Sequence, residues 1–154
     1  MEYFGPHLQR QREVEGVLRS LPMWFGIEEA LLMYVADSAS MPTFAAEING
    51  ELAGFITLLQ HFPESWEVHC MAVSAAHRNE GIGTSLLKRA ENFVAQQGGK
   101  YLQVKTVAEN SPSAAYAETR KFYEAKNFVP LEIFPTLWDV RNPALQLVKV
   151  VSAA

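Results

Sequence analysis

The chain has 154 residues, 49% of them hydrophobic and 19% charged, with a formal charge of -4 and a single cysteine. That length is one ordinary domain with enough apolar surface for a core, and the composition excludes the disordered and fibrous classes. The acidic balance argues against a surface that tracks nucleic-acid phosphates, which needs a basic stripe, and one cysteine excludes an internal disulfide.

The opening "MEYFGPHLQRQREVEG" has neither the basic start nor the apolar centre of a signal peptide. No apolar run approaches the length that spans a bilayer, so the expected compartment is the cytoplasm, with no membrane partner. Val14, Val17, Leu18 and Leu21 recur at helical spacing, and Ile27, Ala30, Leu31, Tyr34 and Val35 do so again after the break "LPMWFG". From Pro42 the texture changes. "TFAAEI" and "LAGFITLLQHF" flank Asn49-Gly50, a pair that supplies the positive backbone angles of a tight hairpin. "FPES" then turns the chain into "WEVHCMAV", a third consecutive strand.

Ile82, Leu86, Leu87, Ala90, Phe93 and Val94 form a helical stripe that stops at Gly98-Gly99, where glycine takes the left-handed cap. "YLQVKTV" is a fourth strand. Ser111-Pro112 has the chemistry of a helix start, Ser capping free amides and Pro lacking one. Ala115, Thr119, Phe122 and Tyr123 share a helical face, and Asn127 suits a left-handed stop. The last strands, "FVPLEIF" and "ALQLVKVV", are expected to be separated by a long connection, "PTLWDVRNP". With no repeat or linker, residues 1–154 read as one domain of α+β or mixed α/β type.

The stretch "VSAAHRNEGIGTSLL", Val73 to Leu87, carries the chemistry. A strand that ends in a turn without bulk and opens directly into a helix leaves unpaired amides converging in front of the positive end of the helix dipole, which makes an anion site. A phosphate can approach Gly81 and Gly83 closely, and Thr84 adds a hydroxyl. Two glycines would equally serve a bare strand-to-helix connection, and "GIG" alone does not separate the two. A dinucleotide fingerprint fails because Leu86 stands where its third glycine belongs, and no Gly-Lys-Ser/Thr follows to make a P-loop.

Arg78-Asn79-Glu80-Gly81-Ile82-Gly83 resembles the R/Q-x-x-G-x-G/A motif of the GNAT superfamily of acyl-CoA-dependent N-acyltransferases, and the element order around it resembles that fold nearly end to end. The resemblance implies a central, mostly antiparallel splayed sheet of about six to seven strands flanked by about four helices. It implies that the loop amides of Gly81, Ile82, Gly83 and Thr84, with Asn79, hold the pyrophosphate of acetyl-CoA. Arg78 would neutralise phosphate, and the backbone of Met71, Ala72 and Val73 would pair with the pantetheine arm where the sheet splays. "FYEAKNF" resembles the family's Y-x-x-x-G-F, with Asn127 in the glycine position. Tyr116 stands where many relatives carry an asparagine that touches the cofactor.

Acyl transfer needs a neutral amine, and a lysine-like amine near pKa 10.4 is protonated at neutral pH, a deficit of roughly 4 to 5 kcal/mol. Glu67 and His69 are two apart on a strand and so share a face. The family match makes Glu67 the expected base, and His69 could accept or relay the proton instead. Tyr123, the matched tyrosine, is the expected proton donor to the departing thiolate. Cys70 lacks a Cys-His-Asn arrangement and reads as a buried apolar residue, and no metal-ligand spacing appears. Trp24, Phe25, Glu28 and Glu29, with Trp138 and Asp139, are candidates for the acceptor wall. The expected activity is acetyl transfer from acetyl-CoA to the primary amine of a small molecule, by direct attack in a ternary complex. A protein or peptide Nα- or lysine acetyltransferase and a non-catalytic acyl-CoA-binding module are the alternatives, and a homodimer is left open.

Overall fold

The computed structural model describes residues 1–109 and 113–151. In chain order its elements are β1 (Glu2–Phe4), α1 (Gln11–Arg19), α2 (Glu28–Ser40), β2 (Thr43–Ile48), β3 (Glu51–Phe62) and β4 (Ser65–Val73), then α3 (Ile82–Gln96), β5 (Tyr101–Val107), α4 (Ala114–Ala125), β6 (Val129–Asp139) and β7 (Asn142–Val150). The strands form one seven-stranded sheet in the order β1-β2-β3-β4-β5-β7-β6. Every neighbouring pair is antiparallel except β4 and β5, which run parallel through the α3 crossover. No helix among the described residues is long and apolar enough to cross a membrane.

Local chemistry sets the connections. Asn49 and Gly50 both take positive φ, 51° and 83°, the geometry that closes the β2–β3 hairpin without splaying the strands. Asn127 ends α4 at φ 70°. The expected helix start at Ser111-Pro112 lies outside the described residues; Ser113 caps α4, its hydroxyl accepting from the Tyr116 amide at 3.5 Å.

Two expectations are corrected at the ends of the chain. "PTLWDVRNP" is no long connection: β6 runs on to Asp139, and the turn is closed by the Asp139 carboxylate, which accepts from the Arg141 and Asn142 amides at 2.8 and 2.9 Å. Proline is tolerated there because β6 is an edge strand, where a missing amide breaks no ladder bond on the open side. The short β1, unsignalled by any alternation in "MEYFG", adds to the opposite edge through Tyr3 and Ala46.

The sheet carries a core on each face. Ile56, Leu58, Leu86, Leu87 and Val94 pack with Tyr123 and Phe128 on the α3 and α4 side, and Val14, Leu18, Leu31 and Phe55 pack on the α1 and α2 side. Each fully buried side chain of this size contributes about 1.5 to 3 kcal/mol.

Two irregularities in β4 position the site. Thr57 pairs with Cys70 but Leu58 pairs with Val68, so His69 is an extra residue in the strand. This bulge inverts the side-chain alternation: Trp66 and Val68 belong to the α3-side core, whereas Cys70 and Ala72 belong to the α1/α2 side. The parallel pairing of β4 with β5 also stops after Val68 and Val104, although β4 continues to Val73 and β5 to Val107. Beyond that point the strands separate and leave a gap.

Candidate active site

The gap opens into a cleft of about 930 Å³, walled by the unpaired halves of β4 and β5, the start of α3, the α4 face and the link between α1 and α2. At its mouth the chain takes two left-handed residues, Asn79 at φ 64° and Gly81 at φ 79°, before α3 begins. The two glycines serve different purposes. A Cβ on Gly81 would meet nothing within 4 Å, so that position needs glycine for its backbone angle. Gly83 has an ordinary angle, and a Cβ there would lie 3.5 Å from the Phe122 ring, so what it provides is bare surface. The first-turn amides of Ile82, Gly83 and Thr84 have no intrahelical acceptor and no side-chain cap at the N-terminus, which leaves them free to bind an anion.

All the residues expected at the cofactor line this cleft: Met71, Ala72, Val73, Arg78, Asn79, Gly81, Ile82, Gly83 and Thr84. Met71 to Val73 lie beyond the last β4–β5 pair, so this edge of β4 is open to an extended group. The free amides, this open strand edge and the adjacent guanidinium fit the pyrophosphate and pantetheine of acetyl-CoA. Arg78 is held over the Trp24 ring, 4.6 Å from its centroid, and pairs with Glu118 at 3.3 Å.

Tyr123 lies deeper in the cleft, 4% exposed, with edge-on contacts to Phe122 and Phe128 at 5.2 and 5.3 Å. Tyr123 is among the residues lining the cleft, and the α4 side chains that hydrogen-bond among the described residues are Tyr116, Glu118, Thr119 and Arg120, not Tyr123. Burial pushes its pKa well above the ordinary 10.0, so the phenol keeps its proton. Cys70 is buried in the α1/α2-side core, and burial, followed by the Asp37 charge, raises its thiol well above 9.0. A thiol so disposed is a poor nucleophile.

Burial also pushes Tyr34 up to about 12. Raised folded-state values favour the native state fully below the ordinary thiol and phenol ranges and progressively less above them. We therefore expect the melting temperature to fall once pH passes about 9, the Cys70 range, and further beyond about 10, the range of Tyr34 and Tyr123. Cys70→Ala should remove the first step of that decline and keep the second, as melting curves across alkaline pH would reveal.

His69 stands at the bulge, in the cleft wall. Its Nε2 donates to Asp37 Oδ2 at 2.8 Å, and the Tyr34 ring meets the imidazole edge-on at 5.3 Å. Glu67 shares that strand face but is not among the residues lining the cleft. One carboxylate oxygen accepts from Lys105 Nζ at 3.0 Å and the other meets His61 Nε2 at 2.7 Å. Each carboxylate oxygen thus already holds one partner, one of them a cation, and Glu67 stands outside the residues that line the cleft.

Sequence reasoning missed Asp37, Tyr34 and Lys105 as members of this cluster. Tyr34 reads as one more apolar position on the stripe of α2, and Asp37 lies outside that stripe. Their partners on β4 and β5 are distant in sequence, and no local pattern announces the pairing.

The acceptor wall is formed in part as expected. Trp24 and Phe25 line the cleft, as do Trp138 and Asp139. Trp24 reaches across to α4: its Nε1 donates to Thr119 Oγ1 at 3.0 Å, and its carbonyl accepts from the Tyr116 hydroxyl at 3.1 Å. Tyr116 thus ties the α1–α2 link to α4. Glu28 and Glu29 do not line the cleft, and Glu28 is engaged with Arg19 at 2.9 Å on the surface. Among the described residues no group of three or more His, Cys, Asp or Glu could hold a metal ion.

A parallel strand pair that parts over a glycine-bounded helix start, with a buried tyrosine in the gap, makes a cleft shaped for an extended, phosphate-bearing thioester. The sequence profile of the Acetyltransferase (GNAT) family matches residues 12–124, and the chain belongs to that family. A stretch of 82 residues is 29% identical to the mycothiol acetyltransferase of Corynebacterium glutamicum (strain R), covering 53% of this chain and 28% of that protein. The fold is similar to the crystal structure of the aminoglycoside 6'-N-acetyltransferase from Enterococcus faecium, with a TM-score of 0.76 and 21% identity over 100% of this chain and 99% of that one. It is also similar to the ribosomal-protein-S18-alanine N-acetyltransferase from Escherichia coli, with a TM-score of 0.74 and 17% identity over 99% and 96% of the two chains. At these identities the structural likeness is one of fold.

Proposed function

We propose that this chain transfers the acetyl group of acetyl-CoA to the primary amine of a small molecule, by direct attack within a ternary complex. The observation that carries this reading is the single cleft in which the open edge of β4, the free amides of the α3 start and the Tyr123 hydroxyl converge. The first-turn amides and Arg78 bind the phosphates, and the backbone of Met71 to Val73 orients the pantetheine arm. Tyr123 donates its proton to the departing sulfur. Cys70 takes no covalent part, because its buried thiol stays protonated.

The Trp24 tie favours a small acceptor over a polypeptide. It spans the cleft from the α1–α2 link to α4 through two hydrogen bonds and restricts the lateral opening that an extended peptide would need. The cleft is also lined by the Tyr34, Phe25 and Trp138 rings together with Asp139, which suits an amine carried on a compact organic frame. The test is thiol release from acetyl-CoA across a panel of polyamines, amino acids, aminoglycosides and peptides. Turnover is expected with a small amine and not with peptides. Turnover confined to peptides would favour the protein-modifying alternative, and none with any amine would leave a binding module.

A further inference from the structure

We propose that His69, placed at the β4 bulge and locked by Asp37 and Tyr34, is the base that takes the proton of the acceptor ammonium, with Asp37 as its positioning residue. This rests on the acetyl-transfer reading above and names the group that completes it.

Three independent features fix the imidazole. As the extra residue of the bulge, His69 keeps the face it shares with Glu67 while Cys70 and Ala72 change sides, so it stands in the cleft wall without a cross-strand partner on β3. Asp37, one turn before the end of α2, accepts from Nε2 at 2.8 Å. The Tyr34 ring, one turn earlier on that helix, closes on the imidazole at 5.3 Å and 72°. Since a carboxylate only accepts, the proton of the neutral ring sits on Nε2 and Nδ1 keeps its lone pair. The same contact stabilises the imidazolium once Nδ1 is protonated. The side chains of His69 and Asp37 are 17% and 23% exposed, shielded enough for this contact to matter and open enough for a proton to leave.

His69 contacts Asp37 and Tyr34 on α2; the titratable groups around that Tyr34 are Asp37, Glu67 and Cys70 on β4 and Tyr116 on α4, with Lys105 on β5 paired to Glu67. Tyr34, Cys70 and Tyr116 are held protonated by burial, and Glu67 and Lys105 neutralise one another at 3.0 Å. His69, whose Nδ1 lone pair the Asp37 contact leaves unused, is the proton acceptor in this set that lines the cleft. The protons balance: of the three on the ammonium, one remains on the amide, one replaces the proton that Tyr123 gives to sulfur, and one leaves through His69 to solvent as the nitrogen–carbon bond forms and the carbon–sulfur bond breaks.

The experiment compares wild type, H69Q, D37N, D37E and E67Q with the preferred amine from about pH 6 to 9, alongside nitrogen NMR of the histidine rings and coenzyme A thermal shifts. H69Q should lower kcat about tenfold to a hundredfold at neutral pH and recover as pH rises toward the range of the amine itself. Its thermal shift with coenzyme A and its KM for acetyl-CoA should be unchanged. D37N should lower kcat about tenfold and move proton occupancy away from Nε2, and D37E should restore most of both. Three results overturn the assignment: an H69Q profile parallel to wild type, the pH-dependent recovery found in E67Q instead, or a wild-type His69 protonated on Nδ1. Wild type that turns over no amine overturns the acetyl-transfer reading and this assignment with it, whereas wild-type turnover with an indifferent H69Q overturns the assignment alone.

Discussion

Replacing Tyr123 by phenylalanine should lower turnover by about 10²-fold or more while leaving the fold and the affinity for acetyl-CoA nearly unchanged. The ring is what packs: its edge-on contacts with Phe122 and Phe128 survive the substitution, and the residue is buried in the α3-side core. The α4 side chains that hydrogen-bond among the described residues are Tyr116, Glu118, Thr119 and Arg120, so removing the Tyr123 hydroxyl breaks none of those bonds. Melting temperature should be unchanged or slightly raised. What is lost is a donor whose proton is retained far into the alkaline range, because burial disfavours the phenolate. A hundredfold loss corresponds to about 2.7 kcal/mol of transition-state stabilisation, in the range of one positioned proton donor. The measurement must be made where chemistry limits the rate, with single-turnover kinetics separating it from product release. Unchanged single-turnover rates would return Tyr123 to the core.

The parts of this site that were legible in the sequence are those written in consecutive residues. The strand end, the bare turn and the helical stripe from Ile82 to Val94 specify the anion site locally, because free amides at a helix start need no tertiary partner. Asn49-Gly50 specifies its hairpin for the same reason. The extent of β6 was hidden because Pro135 argues against a central strand, and only the sheet order reveals that this strand is an edge. The alternation rule placed Glu67 and His69 on one face, yet it could not tell that the bulge at His69 re-aims the rest of β4, since a bulge is a property of two paired strands. Nor could it tell that Lys105, 38 residues away, occupies Glu67, or that Asp37, 32 residues before, fixes His69. Glu28 looked available for a cationic substrate, and Arg19 on the neighbouring helix has already claimed it.

The glycines at the cleft mouth support a sharper experiment than motif matching allowed, because the structure separates their roles. Wild type at a hundredfold excess of coenzyme A over its dissociation constant should gain about 2.7 kcal/mol, which for a chain of this size is roughly 5 to 10 °C in melting temperature. Gly83→Val should abolish that gain with little change in the apo protein, since the backbone angle is ordinary and the added Cβ makes a normal 3.5 Å contact with Phe122. The rest of its side chain covers the surface through which phosphate reaches the first-turn amides. Gly81→Val should abolish the gain too, but its apo form should melt lower, because φ 79° imposes about 1 to 2 kcal/mol on a residue with a Cβ. The two variants together therefore distinguish a blocked phosphate site from a merely weakened helix start. A G83V protein that keeps the full coenzyme A shift would place the phosphates elsewhere, and a wild type with no shift at all would remove the basis for the cofactor assignment.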